Sequence, residues 1–314
     1  MDKYQTLTNR LIKNFKHLRK TFQRSQTNVF RVYDKDIPEF PFAIDKYANH
    51  LHIQEYDTGW QISDEEYQQW QNNCIQAACT ALETTPENTH WKKRIRQRKD
   101  AQYEKTGDMG EDFVVEENGL LFWVNLDKYL DTGLFIDHRD TRQQIRFQAT
   151  NKSFLNLFAY TGSFSIYAAA GGAKYTETVD LSNTYLDWAK RNFKLNHINL
   201  DNHIFIRSDV FIYLKQAKQQ NKRFDLIVMD PPSFSNSKKM DGILDVQKNH
   251  AQLIDAAMSI LNKQGKLYFS NNLRSFSLDE KLSQRYKVKN ISDSSIPKDF
   301  RNRKIHYCFV IEHI

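Results

Sequence analysis

Residues 154–234 predict an open, mostly parallel α/β sheet, and three observations carry that expectation. Strand-length runs at Phe154–Phe158, Thr176–Val179, His203–Ile206 and Leu226–Met229 recur with helix-length segments between them. The second, third and fourth runs lead into acids, at Asp180, Asp209 and Asp230. No internal repeat, low-complexity tract or long flexible linker interrupts the pattern. A sheet of this kind presents ligands beyond the carboxyl ends of its strands.

The chain has 314 residues, 40% hydrophobic and 13% aromatic, which is ample material for a packed core and excludes a disordered protein. Its formal net charge of +7 and pI near 9.1 fit a polyanionic partner. Three cysteines are too few and too scattered for a disulfide framework, and Cys74 and Cys79 are spaced for a helix and not for a CxxC clip. No metal site is expected, and the thiols read as buried in a reducing compartment. The first twenty residues lack an apolar signal core, and no run of 18 apolar residues occurs, so the expectation is a cytoplasmic protein with no membrane partner.

In chain order, residues 3–24 place Leu7, Leu11, Phe15, Leu18 and Phe22 at helical spacing among basic residues, giving an amphipathic basic helix. Strands follow at Val29–Tyr33, Phe42–Tyr47 and His50–Tyr56, broken by Pro38, Pro41 and Asn49. Asp57 to His90 holds no Lys or Arg, and its helix opens on Ser63 with Glu66 three residues on, a capping box. The sign then flips: residues 91–100 carry six basic residues, and Lys92, Lys93, Arg94, Arg96 and Arg98 are the candidates for phosphate contacts. Alternation of Ile95 with Arg94 and Arg96 reads as an exposed strand or hairpin. Strands at Phe113–Val115 and Leu120–Leu126 flank a Glu117-Asn118-Gly119 turn. The expected division is an α+β domain over 1–125, read as RNA-binding, and the large α/β domain over 126–314. Just inside the second lies Asp137-His138-Arg139-Asp140, where a loop enters a helix; a surface salt-bridge network is the plain reading.

The loop after the first sheet strand keeps one glycine, Gly162, preceded by Tyr160 and Thr161, where a dinucleotide fingerprint would need three. A ligand without pyrophosphate needs only one close backbone approach, which Gly162 and the following amides can supply. Asp180, eighteen residues later, is placed to accept ribose hydroxyls, and Asp209 to accept from an adenine amino group. Helix capping competes for both acids. Asp230-Pro231-Pro232-Ser233-Phe234 is the sharpest signal: consecutive prolines fix the backbone and leave carbonyls free to accept from an amino group, and Phe234 can stack on a flipped-out base.

Asn156-Leu157-Phe158-Ala159-Tyr160-Thr161-Gly162, Asp180, Asp209 and DPPSFSNSK (230–238) resemble class I methyltransferases acting on ribosomal RNA. More closely, the chain resembles, end to end, the K-type half of the bifunctional large-subunit rRNA guanine methyltransferases, through NRLIKNFKHLRK, LDTGLFIDHRDTR, FSNNLRSF and DFRNRKIHYCFVI. The resemblance implies a mostly parallel seven-stranded sheet with S-adenosylmethionine as cofactor. The cofactor contacts expected are Asn156, Phe158, Tyr160, Thr161, Gly162, Asp180, Leu181, Asp209, Val210, Asp230 and Arg139, and the catalytic corner is Asp230, Pro231, Pro232 and Phe234. It implies 23S rRNA as partner, with a fused or separate N2-guanine methyltransferase half, and N7 of a guanosine as the target atom. The residues alone favour guanine N2 or adenine N6 equally. Related enzymes that make 5-methylcytosine use a cysteine after the fifth strand; here that run is Tyr268-Phe269-Ser270-Asn271-Asn272, with no thiol. Two other classes compete. A nicotinamide-dependent oxidoreductase lacks its three-glycine turn here, and a non-catalytic RNA-binding protein on the same fold would bind no cofactor.

Overall fold

The computed structural model describes residues 2–94, 110–128, 131–235 and 243–314. The chain forms two compact units, Met1–Thr132 with Lys298–Arg301, and Gly133–Pro297 with Asn302–Ile314. This division lies a little beyond residue 125, and four residues of the late chain belong to the first unit. No helix among the described residues is long and apolar enough to cross a membrane.

In the first unit, α1 (Lys3–Arg24) buries Leu7, Leu11, Phe15 and Phe22. The ring of Phe22 stacks on Phe30 with centroids 4.4 Å apart. Strands β1 (Val29–Asp34), β2 (Phe42–Tyr47), β3 (His50–Tyr56) and β4 (Thr89–Arg94) form one sheet in that order. The first three run antiparallel, while β4 joins β3 in parallel after the crossover helix α2 (Asp64–Leu82). Ser63 and Glu66 make the expected reciprocal capping box at the start of α2. A hairpin of β5 (Phe113–Glu117) and β6 (Leu120–Val124) turns on Asn118 and Gly119, both with positive φ of 52° and 75°. Arg31 is buried and grips Asp45 through Nε and Nη2, at 2.7 and 2.9 Å. The late segment completes that site: Arg31 N–H donates to Asp299 at 2.9 Å, and the guanidinium lies 4.3 Å from the Phe300 ring centroid.

The second unit is the doubly wound one. Its elements are α3 (Arg139–Gln148), β7 (Ser153–Leu157), α4 (Ser163–Ala170), β8 (Tyr175–Asp180), α5 (Asn183–Leu195), β9 (His203–Arg207), α6 (Val210–Gln219) and β10 (Phe224–Met229). There follow β11 (Phe234–Ser235), β12 (Leu244–Asp245), α7 (Val246–Met258), β13 (Leu261–Asn271), α8 (Leu282–Arg285), β14 (Tyr286–Asn290), α9 (Ser292–Ser295) and β15 (Tyr307–His313). The main sheet has seven strands in the order β14-β15-β13-β10-β7-β8-β9. β9, β8, β7, β10 and β13 are parallel; β15 runs antiparallel to β13, and β14 pairs antiparallel with β15 at the far edge. The winding runs outward from β7 through β8 to β9 and then returns to β10 on β7's other side. The strand order therefore reverses at β7, and the crevice for a ligand opens beyond its carboxyl end. Leu155, Leu157, Ile227, Met229, Leu267 and Phe269, all fully buried, form the core on one face of the sheet.

Candidate active site

The carboxyl end of β7 is held in a conformation that ordinary residues avoid. Phe158 and Tyr160 both have left-handed backbones, φ 57° and 51°, which costs of order 1–3 kcal/mol each and persists only where the surroundings enforce it. The enforcing bonds are specific. Ala159 N–H donates to Val179 O at 3.0 Å and Tyr160 N–H to Asp180 Oδ2 at 2.9 Å. The Tyr160 hydroxyl accepts from Gly133 N–H at 3.0 Å, and Thr161 Oγ1 donates to Gly133 O at 2.6 Å. Gly162, φ 75°, caps α4, and a Cβ there would stand 2.7 Å from Ala189 Cβ on α5. The single glycine thus serves both the turn and the close approach of two helices.

Asp180 ends β8. Its Oδ1 accepts from Ser182 N–H at 2.8 Å, its Oδ2 from Tyr160 N–H, and its burial pushes its pKa up to about 6 despite those amides. The N-cap position of α5 is occupied by Ser182, whose side chain makes no capping bond, so Asp180 is not the N-cap weighed for it. The reverse holds at β9. Asp209 is the N-cap of α6, with Oδ1 accepting from Phe211 and Ile212 N–H at 2.8 and 3.2 Å. Its Oδ2 makes no hydrogen bond among the described residues and is free for a ligand. Leu181 is half-buried and Val210 buried beside these acids. Asn156 is taken up inside the unit, its amide donating to Ser165 Oγ at 3.0 Å, and Arg139 is buried in the first turn of α3.

At the end of β10, Asp230 Oδ1 accepts from Ser270 Oγ at 2.6 Å, and Oδ2 lies 3.5 Å from His138 Nε2. Register places these partners together, because Met229 pairs with Phe269 and Ser270 with Cys308 across β10, β13 and β15. Pro231 is buried, Pro232 is half-buried, and Ser233 Oγ donates to Asn272 Oδ1 at 2.7 Å. Phe234 is half-exposed on β11 opposite Asp245. The remainder of the DPPSFSNSK run, from 236, lies outside the described residues.

The Asp137-His138-Arg139-Asp140 cluster is not a surface network. His138 and Arg139 are at most 5% exposed, as is Arg142 one turn on, and they sit with His306 from the approach to β15. His306 Nδ1 lies 2.9 Å from Asp137 Oδ2 and its Nε2 2.9 Å from Ser295 Oγ. The His138 and His306 rings stack, 4.3 Å apart and 6° from parallel. The hydrogen bond from His306, helped by Arg142, holds the half-buried Asp137 carboxyl well below its usual range, against the desolvation that would raise it. Asp137, His138 and His306 bring ligand-type atoms within 4.8 Å of one another, close enough for a metal ion to be considered. His306 already uses both nitrogens on Ser295 and Asp137, and parallel rings do not aim their in-plane lone pairs at one point. The cluster is therefore organised as hydrogen bonds and stacking.

All three cysteines are free and buried, and burial pushes the Cys308 thiol up to about 12. A fully enclosed neutral thiol is no nucleophile. A folded Cys308→Ser variant should keep methyl transfer, read as labelled methyl incorporated into rRNA; loss of transfer with fold and cofactor binding intact would restore covalent attack on a pyrimidine.

In the first unit, Trp91 and Lys93 on β4 are drawn to Glu55: Trp91 Nε1 donates to it at 2.9 Å, and Lys93 Nζ stands 3.6 Å away. Lys92 is half-buried, and that burial lowers its pKa. Arg94 ends the strand; Arg96 and Arg98, with the expected alternation around Ile95, lie outside the described residues.

A mostly parallel sheet with its switch point at β7, acids at the ends of β8, β9 and β10 and an antiparallel β15 near the far edge defines a class I methyltransferase. Residues 60–267 match the profile of the S-adenosylmethionine-dependent methyltransferases. The chain is 58% identical to ribosomal RNA large subunit methyltransferase K of Neisseria meningitidis, over 97% of this chain and 86% of that protein. It is 46% identical to ribosomal RNA large subunit methyltransferase K/L of Saccharophagus degradans, over 98% of this chain but only 41% of that one. The crystal structure of SMU.776 complexed with SAH superposes with a TM-score of 0.77 at 26% identity, covering 98% of this chain and 81% of that chain. The chain belongs to the S-adenosylmethionine-dependent ribosomal RNA large subunit methyltransferases of the K and K/L type.

The residues present suit that cofactor. A strained loop, two acids at the ends of β8 and β9 and an Asp209 oxygen with no hydrogen bond among the described residues are of the kind that could accept from a nucleoside, and the loop after β7 lacks the three-glycine turn of a pyrophosphate site.

Proposed function

We propose that this enzyme methylates a guanosine of 23S rRNA, at N7, by direct in-line transfer. The observation that supports it most is the near full-length likeness to a large subunit methyltransferase K, combined with an Asp230 carboxylate fixed by Ser270 at the strand end. The bound cofactor would supply the methyl group as a sulfonium. Asp180 and Asp209 would hold its ribose and adenine, with Tyr160 and Gly162 shaping the loop. Asp230 and the Pro231–Pro232 carbonyls would hold the base by its amino edge, and Phe234 would stack on it. N7 carries an in-plane lone pair, so positioning and a dry, polarised pocket suffice and no general base is needed. The second reading, methylation of guanine N2 or adenine N6, is favoured by the same corner, because carbonyls and a carboxylate suit an exocyclic amine. Mass spectrometry of nucleosides from rRNA treated with enzyme and labelled cofactor decides: N7-methylguanosine is expected, and N2-methylguanosine or N6-methyladenosine would replace this reading with the other.

The basic run at Lys92, Lys93, Arg94 and Arg96 should supply RNA affinity without base choice. Neutral replacement of all four should flatten the dependence of rRNA affinity on salt, by about one unit of log–log slope for each phosphate no longer neutralised, and leave cofactor affinity alone. Because Lys93 is already paired with Glu55, its share of that change should be small. An unaltered slope would make the run an ordinary solvated face.

A further inference from the structure

We propose that His138 is a positioning residue for Asp230, its Nε2–H set between the Asp137 and Asp230 carboxylates so that it fixes the aim of the corner acid. The inference rests on the reading of Asp230 as the group that holds the target base. Four observations carry it. Ionised Asp137 can only accept, so the His306 nitrogen 2.9 Å from it carries a proton there, and His306 is locked between Asp137 and Ser295. His138 is stacked flat on that locked ring, and Phe164 meets it edge-on with centroids 5.8 Å apart, so its plane is set from both sides. His138 Nδ1 is buried and makes no hydrogen bond among the described residues. A proton there would be an unpaired buried donor, which places the proton on Nε2.

That nitrogen stands 3.8 Å from Asp137 Oδ2 and 3.5 Å from Asp230 Oδ2. Neither separation is a hydrogen bond, and a small ring movement would complete the one to Asp230. The charged and titratable groups around the ring are Asp137 and Arg142 from α3 and the turn before it, Asp230 from β10, and His306 at the approach to β15. Cys308 lies beyond Asp230 on β15. Burial outweighs the two carboxylates and keeps His138 neutral by lowering its pKa. The arrangement also ends blind. A proton delivered to Nε2 could not leave through Nδ1, so the group serves as a fixed donor and not as a relay. Methyl transfer to N7 releases no proton in that step, so the corner needs no proton relay.

Imidazole ¹⁵N spectra of the free enzyme test the pairing without RNA. His138 should be the neutral Nε2–H tautomer, and Asp230→Asn should shift its Nε2 resonance while leaving His306 in place. A His138 signal indifferent to Asp230→Asn would overturn the proposal. In turnover, His138→Leu should lower kcat roughly 10- to 100-fold with cofactor affinity within about twofold, the worth of a donor to a charged group. His138→Gln, whose amide nitrogen reaches the Nε2 position, should recover most of it. Equal losses in the Leu and Gln variants, or a parallel fall in cofactor affinity, would leave His138 a packing residue. A wild-type enzyme that leaves rRNA unmethylated would instead refute the proposed substrate, and the spectra would still decide the His138–Asp230 pairing.

Discussion

Asp230→Ala should lower turnover roughly a hundredfold while S-adenosylmethionine still binds within a fewfold of wild type. The carboxylate is held by the Ser270 hydroxyl at 2.6 Å, with His138 Nε2 standing 3.5 Å from its other oxygen, and a group fixed in this way is one whose direction matters. Alanine would leave the Ser270 hydroxyl without its acceptor and the amino edge of the base without a charged partner. Asp230→Asn should recover part of the positioning but none of the charge, so its rate should fall between the two. Phe234→Ala should act differently, costing roughly 1–3 kcal/mol of base binding through the missing stacking face, seen in KM for RNA and not in cofactor titrations. Single-turnover rates and calorimetry separate these effects. If cofactor affinity collapses together with the rate in Asp230→Ala, the acid belongs to the cofactor pocket and not to the target base.

Asp180→Ala should weaken cofactor binding by about 1–3 kcal/mol, the cost of leaving ribose hydroxyls unpaired. The loss should also carry a pH signature. Asp180 has its pKa pushed up to about 6 by burial. Only the carboxylate can accept from two hydroxyls, so wild-type affinity should fall as pH drops through 6 and stay level above it. Folding moves the other way. A carboxyl whose folded pKa lies above its unfolded value stabilises the protein fully below the unfolded value, and this contribution is lost as pH rises through about 6. Cofactor affinity and the thermal stability of the free enzyme should therefore carry opposite slopes just below pH 6, and both contributions should vanish in Asp180→Ala. A flat affinity profile across that window would mean that Asp180 only ties Tyr160 and Ser182 to the end of β8.

The parts of this site that lie at strand ends could be read from the sequence because local chemistry sets them. A run that alternates with helices and stops at an acid locates Asp180, Asp209 and Asp230 without any knowledge of the third dimension. Competition between capping and binding could not be resolved that way. Asp180 and Asp209 look alike in sequence, yet one ties two loops together and the other caps α6 with a single oxygen. The Asp137–His138–His306 group was out of reach altogether, because it depends on the antiparallel return of β15 beside β13. A charged tetrapeptide also suggests a surface, and here desolvation is offset by stacking, Arg142 and a second imidazole. In the sequence Ser270 reads only as a position without a thiol, although its hydroxyl is what holds Asp230.

The four-residue excursion at Lys298–Arg301 also has a consequence for the order of synthesis. Arg31 and Asp45 leave the ribosome early, but the acceptor for the Arg31 backbone N–H and the ring that covers its guanidinium are Asp299 and Phe300. The first unit therefore cannot finish its own interior while it is being made. It must wait, with a charged pair incompletely covered, until residues 298–301 have been translated, after every strand of the large sheet except β15.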